Sequence, residues 1–339
     1  MRHDRLNDPQ NIDSNAIRSL VAAGYTPVVQ FSQPGYTPKL LGTLNQLCAE
    51  LGEKLQVRFY GHYSTGFDAS ALEHLPDVRS LLVDCLTTIT NEHLIATLPA
   101  LSALSFGVFR YDNPGFLDQI GTDRLTSLTL VETAKRNFDL APLGAARNMK
   151  RLLIHGHTRN IEVIADLPQL ADLMLGAFPN KKDLGFLKDA KALKSLRVIL
   201  GGRSSIDEFS HPGLEDLSIV RVRGLQTVGD LRRFPHLRSL EIEDQLQLLS
   251  IDLVGPPLRR VLLANCKNLA EVRGIETLEH LESFRTMQTK LDMEALATGY
   301  WPASVRAIAL YPGSTKRNQA VRATLDARGY GEWDPESSA

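Results

Sequence analysis

The motif Leu-x-x-Leu-x-Leu recurs along this 339-residue chain, and a chain that repeats itself at a short, near-constant interval has few folds open to it. Instances are Leu125-Thr126-Ser127-Leu128-Thr129-Leu130, Leu214-Glu215-Asp216-Leu217-Ser218-Ile219 and Leu237-Arg238-Ser239-Leu240-Glu241-Ile242. The middle apolar residue of each unit marks the series: Leu81, Leu104, Leu128, Leu152, Leu173, Leu196, Leu217, Leu240, Val261, Phe284 and Ile308. Successive markers lie 21 to 24 residues apart, giving eleven units, and a degenerate twelfth stands at Leu55-Gln56-Val57. Self-similarity at a period of roughly 20–29 residues predicts a solenoid whose every turn is one strand plus one return segment. No single unit can bury its own apolar stripe, so stacked neighbours must, and stability becomes a sum over adjacent interfaces.

Within Leu240-Glu241-Ile242-Glu243 apolar and polar side chains alternate, as in a strand with one face on the core. Another apolar residue follows six positions after the last core residue (Ile89, Leu225, Leu248, Leu269) and is expected to turn the chain inward again. Leu94, Leu98, Leu143, Leu167, Leu187, Leu231 and Leu278 should add core contacts from the return leg. Several return legs end in an apolar-Pro step, at Leu75-Pro76, Leu98-Pro99, Leu167-Pro168 and Phe234-Pro235. Proline lacks an N–H and disfavours helix in the residue before it, which stops the leg ahead of the next strand.

These units resemble the leucine-rich repeat family, with its pattern Leu-x-x-Leu-x-Leu-x-x-(Asn or Cys)-x-Leu, over roughly residues 50–312. Leu81-Leu82-Val83-Asp84-Cys85-Leu86 and Val261-Leu262-Leu263-Ala264-Asn265-Cys266 are similar to its bacterial or cysteine-containing varieties. The resemblance implies an α/β solenoid, a right-handed superhelix with a concave parallel β-sheet. It also implies partner binding, usually of protein, through that sheet. The Asn/Cys slot departs from the family pattern, holding Phe109, His157, Phe178, Val222 and Gln245 in their units. A continuous asparagine ladder is therefore excluded, and the backbone groups at that corner need other partners.

The flanks complete the expected organisation: residues 1–54 an N-terminal helical cap, 55–312 the solenoid, 313–339 a C-terminal capping helix and tail. Open stacks expose an apolar face at each end and need such covers. Helices are predicted over Asp13–Ala23, over Lys39–Gly52 with Leu40, Leu41, Leu44, Leu47 and Leu51 at helical spacing, and over Ser314–Arg328. Thr26–Pro38 reads as extended, and Asp334–Ala339 as a frayed tail. In the last helix Ala320, Val321, Leu325 and Ala327 should face inward.

A formal charge of −1 argues against a nucleic-acid or membrane-surface partner. Three cysteines without a CxxC favour a reducing, cytoplasmic setting. No stretch approaches about 18 apolar residues, so no membrane span is expected.

Side chains between the core leucines should point out of the concave sheet. Many there are large and apolar, including Leu82, Leu153, Met174, Ile199, Val220 and Met287. Charges ring them: Arg197 and Arg221, then Glu241, Glu243 and Asp244, then Arg285. An apolar centre with a mixed-charge rim suits a protein partner, and these twelve residues are the candidate partner-binding set. Chemistry is poorly supported. His155-Gly156-His157 lacks a third ligand at motif spacing, and Gly201-Gly202-Arg203-Ser204-Ser205 lacks the P-loop pattern. No cofactor, metal or catalytic residue is expected. The chain reads as a non-catalytic, monomeric protein-interaction scaffold, with inhibition or toxin neutralisation as one form. The alternative is an adaptor in a degradation or signalling assembly that docks through its N-terminal segment.

Overall fold

The computed structural model describes residues 4–131, 133–134 and 137–332; the expected tail at Asp334–Ala339 lies outside them. Two compact units divide the chain, Met1–Leu170 and Ala171–Ala339.

In the first unit, the parallel strands Arg5–Asn7, Val28–Phe31, Gln56–Gly61, Ser80–Leu86, Ala103–Val108, Ser127–Leu130 and Arg151–His155 hydrogen-bond in chain order. Core positions stack in register: Leu6 on Val29, Val57, Leu81, Leu104, Leu128 and Leu152. The second unit repeats the plan with Asp172–Gly176, Ser195–Ile199, Asp216–Val220, Ser239–Glu243, Arg260–Ala264, Ser283–Met287 and Ala307–Tyr311. Leu173, Leu196, Leu217, Leu240, Val261, Phe284 and Ile308 align across it. The chain is thus an α/β solenoid, as the repeat predicts. Each fully buried leucine or isoleucine of these rows contributes about 1.5–3 kcal/mol.

The return legs are mostly single 3-10 turns, such as Ala141–Ala145, Ile161–Asp166, Gly185–Asp189 and Leu231–Arg233. A repeat of 21 to 24 residues leaves little room for a helix once a strand and two corners are made. Their backbone carbonyls are partly satisfied by arginines. Arg233 donates to the carbonyls of Ile206, Phe209 and Val228, and Arg124 to those of Leu98, Ala96 and Ile120.

Residues 1–54 hold more than helices. The helix Ser14–Ala22, capped by Asp13, and the helix Pro38–Leu51, capped by Thr37, connect strands of the same sheet. The unit at Leu55–Val57, expected to open the stack, is third in its row. Two strands escaped the repeat because Arg5–Asn7 is only three residues long, too short for a pattern to register, and Val28–Phe31 is buried along its whole length and does not alternate. Twenty-eight residues separate Val29 from Val57, the excess being the second helix. At the other end Thr315–Ala327 packs on the last strand through Val321 and Leu325, whereas Ala320 and Ala327 are exposed.

Seven strands turn through a left-handed corner residue that is not glycine: Cys85, Ala177, Leu200, Arg221, Asp244, Asn265 and Gln288. The slot after it carries polar partners in three units. His157 is 1% exposed; its Nδ1 accepts from the Phe138 amide at 3.1 Å and its Nε2 donates to the Val131 carbonyl at 3.1 Å. Gln245 donates to the Glu243 carbonyl at 2.7 Å and the Ile219 carbonyl at 3.3 Å. Cys266 approaches the Ala264 carbonyl at 3.4 Å. Phe109, expected in that slot, is 60% exposed. The pairing register slips beyond Val83, Leu86 comes opposite Val108, and those two fill the inward space. Ile89 is only half-buried, because it pairs with Phe67 in a small outer ladder and Phe67 takes the interior place.

Candidate functional site

In the second unit the outward side chains form two adjacent rows across seven strands. One reads Met174, Arg197, Ser218, Glu241, Leu262, Arg285, Ala309; the other reads Gly176, Ile199, Val220, Glu243, Ala264, Met287, Tyr311. The alternation places them: Leu240 and Ile242 are 1% and 0% exposed, while Glu241 and Glu243 between and beyond them are half-exposed. Met174, Arg197, Ile199, Val220, Glu241, Glu243, Arg285 and Met287 share this face. Arg221 and Asp244 stand at its edge as left-handed corner residues.

The charges are organised in pairs. Arg197 Nη2 lies 3.2 Å from Glu241 Oε2, two strands away, and Ser218 Oγ on the strand between donates to the same oxygen at 2.6 Å. Arg221 Nη2 contacts Asp244 Oδ2 at 2.8 Å. Such half-exposed pairs contribute little to stability, about 0–1 kcal/mol; their effect is to hold charge in place. Arg285 has no ion pair among the described residues and lies over the Tyr311 ring, 5.7 Å from its centroid. The Tyr311 hydroxyl donates to Glu332 Oε1 at 3.3 Å. Burial, then the charge of Glu332, raises its pKa. Between these charges Met174, Ile199, Val220, Leu262 and Met287 present half-exposed apolar surface.

Leu82 and Leu153 lie on the outward face of the first unit, half-buried and separated by two strands. The face around Leu82 is polar, which the sequence reading missed. Arg58 Nε meets Asp84 Oδ1 at 2.7 Å with both side chains 15% exposed. Arg58 also donates to Gln30 Oε1 at 3.3 Å and lies over the Tyr60 ring at 4.7 Å, while Ser105 Oγ donates to Asp84 Oδ2 at 3.3 Å. Arg58 occupies the outward position of the degenerate unit at Leu55–Val57; extending the repeat by that one unit would have found it.

Among the described residues no group of three His, Cys, Asp or Glu side chains could hold a metal ion. His157 commits both ring nitrogens to backbone groups. No described helix is long and apolar enough to cross a membrane.

No protein-family profile matches the sequence, and no curated protein matches it. Solved structures do. A chain of the Toll–Spatzle complex from Drosophila aligns over 94% of this chain at 19% identity with a TM-score of 0.50, and this chain spans about half (48%) of its length. An internalin from Listeria monocytogenes aligns over 91% of this chain and 79% of its own, at 16% identity and a TM-score of 0.41. The APL1 leucine-rich repeat domain aligns over 91% and 80%, at 14% identity and 0.43. The likeness is one of fold: parallel strands in leucine-rich repeats.

Proposed function

We propose that this chain is a non-catalytic protein-binding scaffold that engages a partner protein through the outward sheet face of residues 171–339. The observation that carries the reading is the composition of that face. Five large apolar residues, Met174, Ile199, Val220, Leu262 and Met287, are half-exposed among charges already positioned by the Arg197–Glu241 and Arg221–Asp244 pairs. A sheet face turned only to water would be polar; contiguous apolar surface ringed by mixed charge suits a protein interface. The fixed charges would set orientation and exclude wrong partners, and the apolar rows would supply most of the affinity. Leu82 and Leu153 belong to the same reading as outlying contacts. Function on this view is steric, capture or inhibition of the partner, with the chain acting as a monomer. The thiols support a reducing, cytoplasmic setting. Cys48 and Cys266 are buried, which pushes their pKa up to about 12 and about 11, and Cys85 is free.

The test is affinity capture from the native lysate with wild type beside Glu241→Arg/Glu243→Arg. Both glutamates are solvent-facing, so the variant should melt with wild type while losing the protein that wild type captures. Equal capture by both would remove the sheet face from consideration.

A further inference from the structure

Four consecutive corner loops of the second unit, those following the strands Asp172–Gly176, Ser195–Ile199, Asp216–Val220 and Ser239–Glu243, enclose an open groove of about 710 Å³. Its cause is local. Gly201 has φ +75°, and a Cβ there would come 2.3 Å from the Phe178 carbonyl oxygen, so the loop presses onto the preceding turn as only glycine can. Arg203 then folds inward, 7% exposed, to pair with Glu208, donate to the Lys182 carbonyl at 3.2 Å and lie over Phe178. With Arg203 turned in and Gly202 and Gly224 bare of side chains, the rim is left hollow.

The lining has a definite character. Pro179, Leu200, Val222 and Leu246 are apolar, and Leu246 is 60% exposed. Two arginines line the groove. Arg221 is held by Asp244 Oδ2 at 2.8 Å. Arg223 is exposed and has no ion pair among the described residues. Asp244 supplies the one lining carboxylate and is neutralised by Arg221. The left-handed backbone of Leu200, Arg221 and Asp244 recurs at Cys85, Asn265 and Gln288, so it belongs to the repeat and does not mark the groove. What is particular to this place is a hollow with room for several side chains and, among the described residues, an arginine without an ion pair beside apolar walls.

We infer that this groove is a second contact site, taking an acidic loop of a protein partner in which a carboxylate pairs with Arg223 and an adjacent apolar side chain lies against Leu246 and Leu200. Charge complementarity selects that occupant. A basic segment would meet Arg221 and Arg223, and a purely polar one would leave Leu246 uncovered. An exposed arginine forms charge-assisted, bidentate bonds to a carboxylate. The inference rests on the protein-binding reading, since it supposes a protein partner; the groove adjoins the sheet face at Arg221 and Asp244, but Arg223 and Leu246 lie outside the sheet rows, so it can be tested without knowing that partner.

The experiment is selection of random hexapeptides displayed on phage against the full chain, repeated on Arg223→Glu, Leu246→Asp and Glu241→Arg/Glu243→Arg. The expected peptides place Asp or Glu next to Leu, Ile or Phe. As synthetic peptides they should lose about tenfold or more in affinity on Arg223→Glu, equivalent to about 1.4 kcal/mol. They should lose affinity on Leu246→Asp as well, and bind the double glutamate variant as they bind wild type. Melting curves that overlay wild type assure that these exposed substitutions leave the fold intact. Selection without acidic enrichment, or acidic peptides retained by both groove variants, would overturn the inference. Peptides lost only on Glu241→Arg/Glu243→Arg would also overturn it while leaving the sheet-face reading standing.

Discussion

His157 shows how a single residue can replace a repeat's usual corner chemistry. The backbone at each corner has amide and carbonyl groups that a buried position cannot leave unpaired. His157 serves one donor and one acceptor at once, the Phe138 amide and the Val131 carbonyl, which requires the tautomer protonated on Nε2. It also stacks on Phe138 with ring centroids 4.5 Å apart. His157→Ala should leave the buried amide and carbonyl without this partner and cost about 1–3 kcal/mol. His157→Asn restores a donor and an acceptor in a smaller volume and should recover part of that loss. Denaturant midpoints of the two variants check the ordering; equal losses would mean that packing, and not hydrogen bonding, is what His157 supplies.

At the level of elements, the strand Gln56–Gly61 and the loop after it carry the titratable group with the clearest consequence for stability. His62 is 2% exposed, in the left-handed region at φ 45°, with Nδ1 2.7 Å from the Tyr60 carbonyl and Nε2 3.5 Å from the Tyr36 hydroxyl. Phe67 and Tyr36 flank its ring. Burial draws its pKa below the ordinary 6.5, against smaller opposing effects of the Tyr60 carbonyl and Asp8. The folded state therefore binds this proton less readily than the unfolded chain. Stability from this group is complete above 6.5 and is lost as pH falls from there through the folded pKa. The carboxylates held low by their partners, Asp68, Asp139, Glu215, Asp230 and Glu294, act in a separate and more acidic window. Melting temperature should thus decline in a first step below neutrality. His62→Asn, whose side chain tolerates positive φ, should abolish that step and leave the acid one. Persistence of the first step in the variant would assign it elsewhere.

For the whole molecule, the first 54 residues decide whether the N-terminal segment can be a detachable docking arm. It is built into the sheet, because Val28–Phe31 pairs along its length with Gln56–Gly61 and Phe31 stacks on Phe59 at 5.4 Å. Deleting residues 1–38 would uncover the strand Gln56–Gly61 as an edge with its backbone groups unpaired. It would also strip one neighbour from Val57 and Phe59, both 0% exposed. The truncated chain should aggregate or lose cooperative unfolding, read by size-exclusion chromatography and thermal melts. A monomeric, fully cooperative product would instead favour the adaptor reading.

What the sequence determined by itself is the periodic part of this protein. Leucines at fixed intervals can be buried together only by stacking strand on strand, so fold class, register and the outward position of Glu241, Glu243, Met174 and Val220 are legible in the repeat itself. The long helices were legible as well, since Ser14–Ala22, Pro38–Leu51 and Thr315–Ala327 begin within a residue of where spacing predicts them. Tertiary structure decided everything that breaks the period. Arg5–Asn7 and Val28–Phe31 become strands because a neighbour offers an edge to pair with, a force that a three-residue segment and a run buried throughout do not reveal in sequence. Phe109 leaves the core because the register slips one strand earlier. The Arg197–Glu241 and Arg58–Asp84 pairs join residues 44 and 26 positions apart, and the groove beside Arg223 gathers residues from Pro179 to Gln247. Such meetings depend on how corner backbones turn and where each long side chain finds room, and a one-dimensional pattern carries neither.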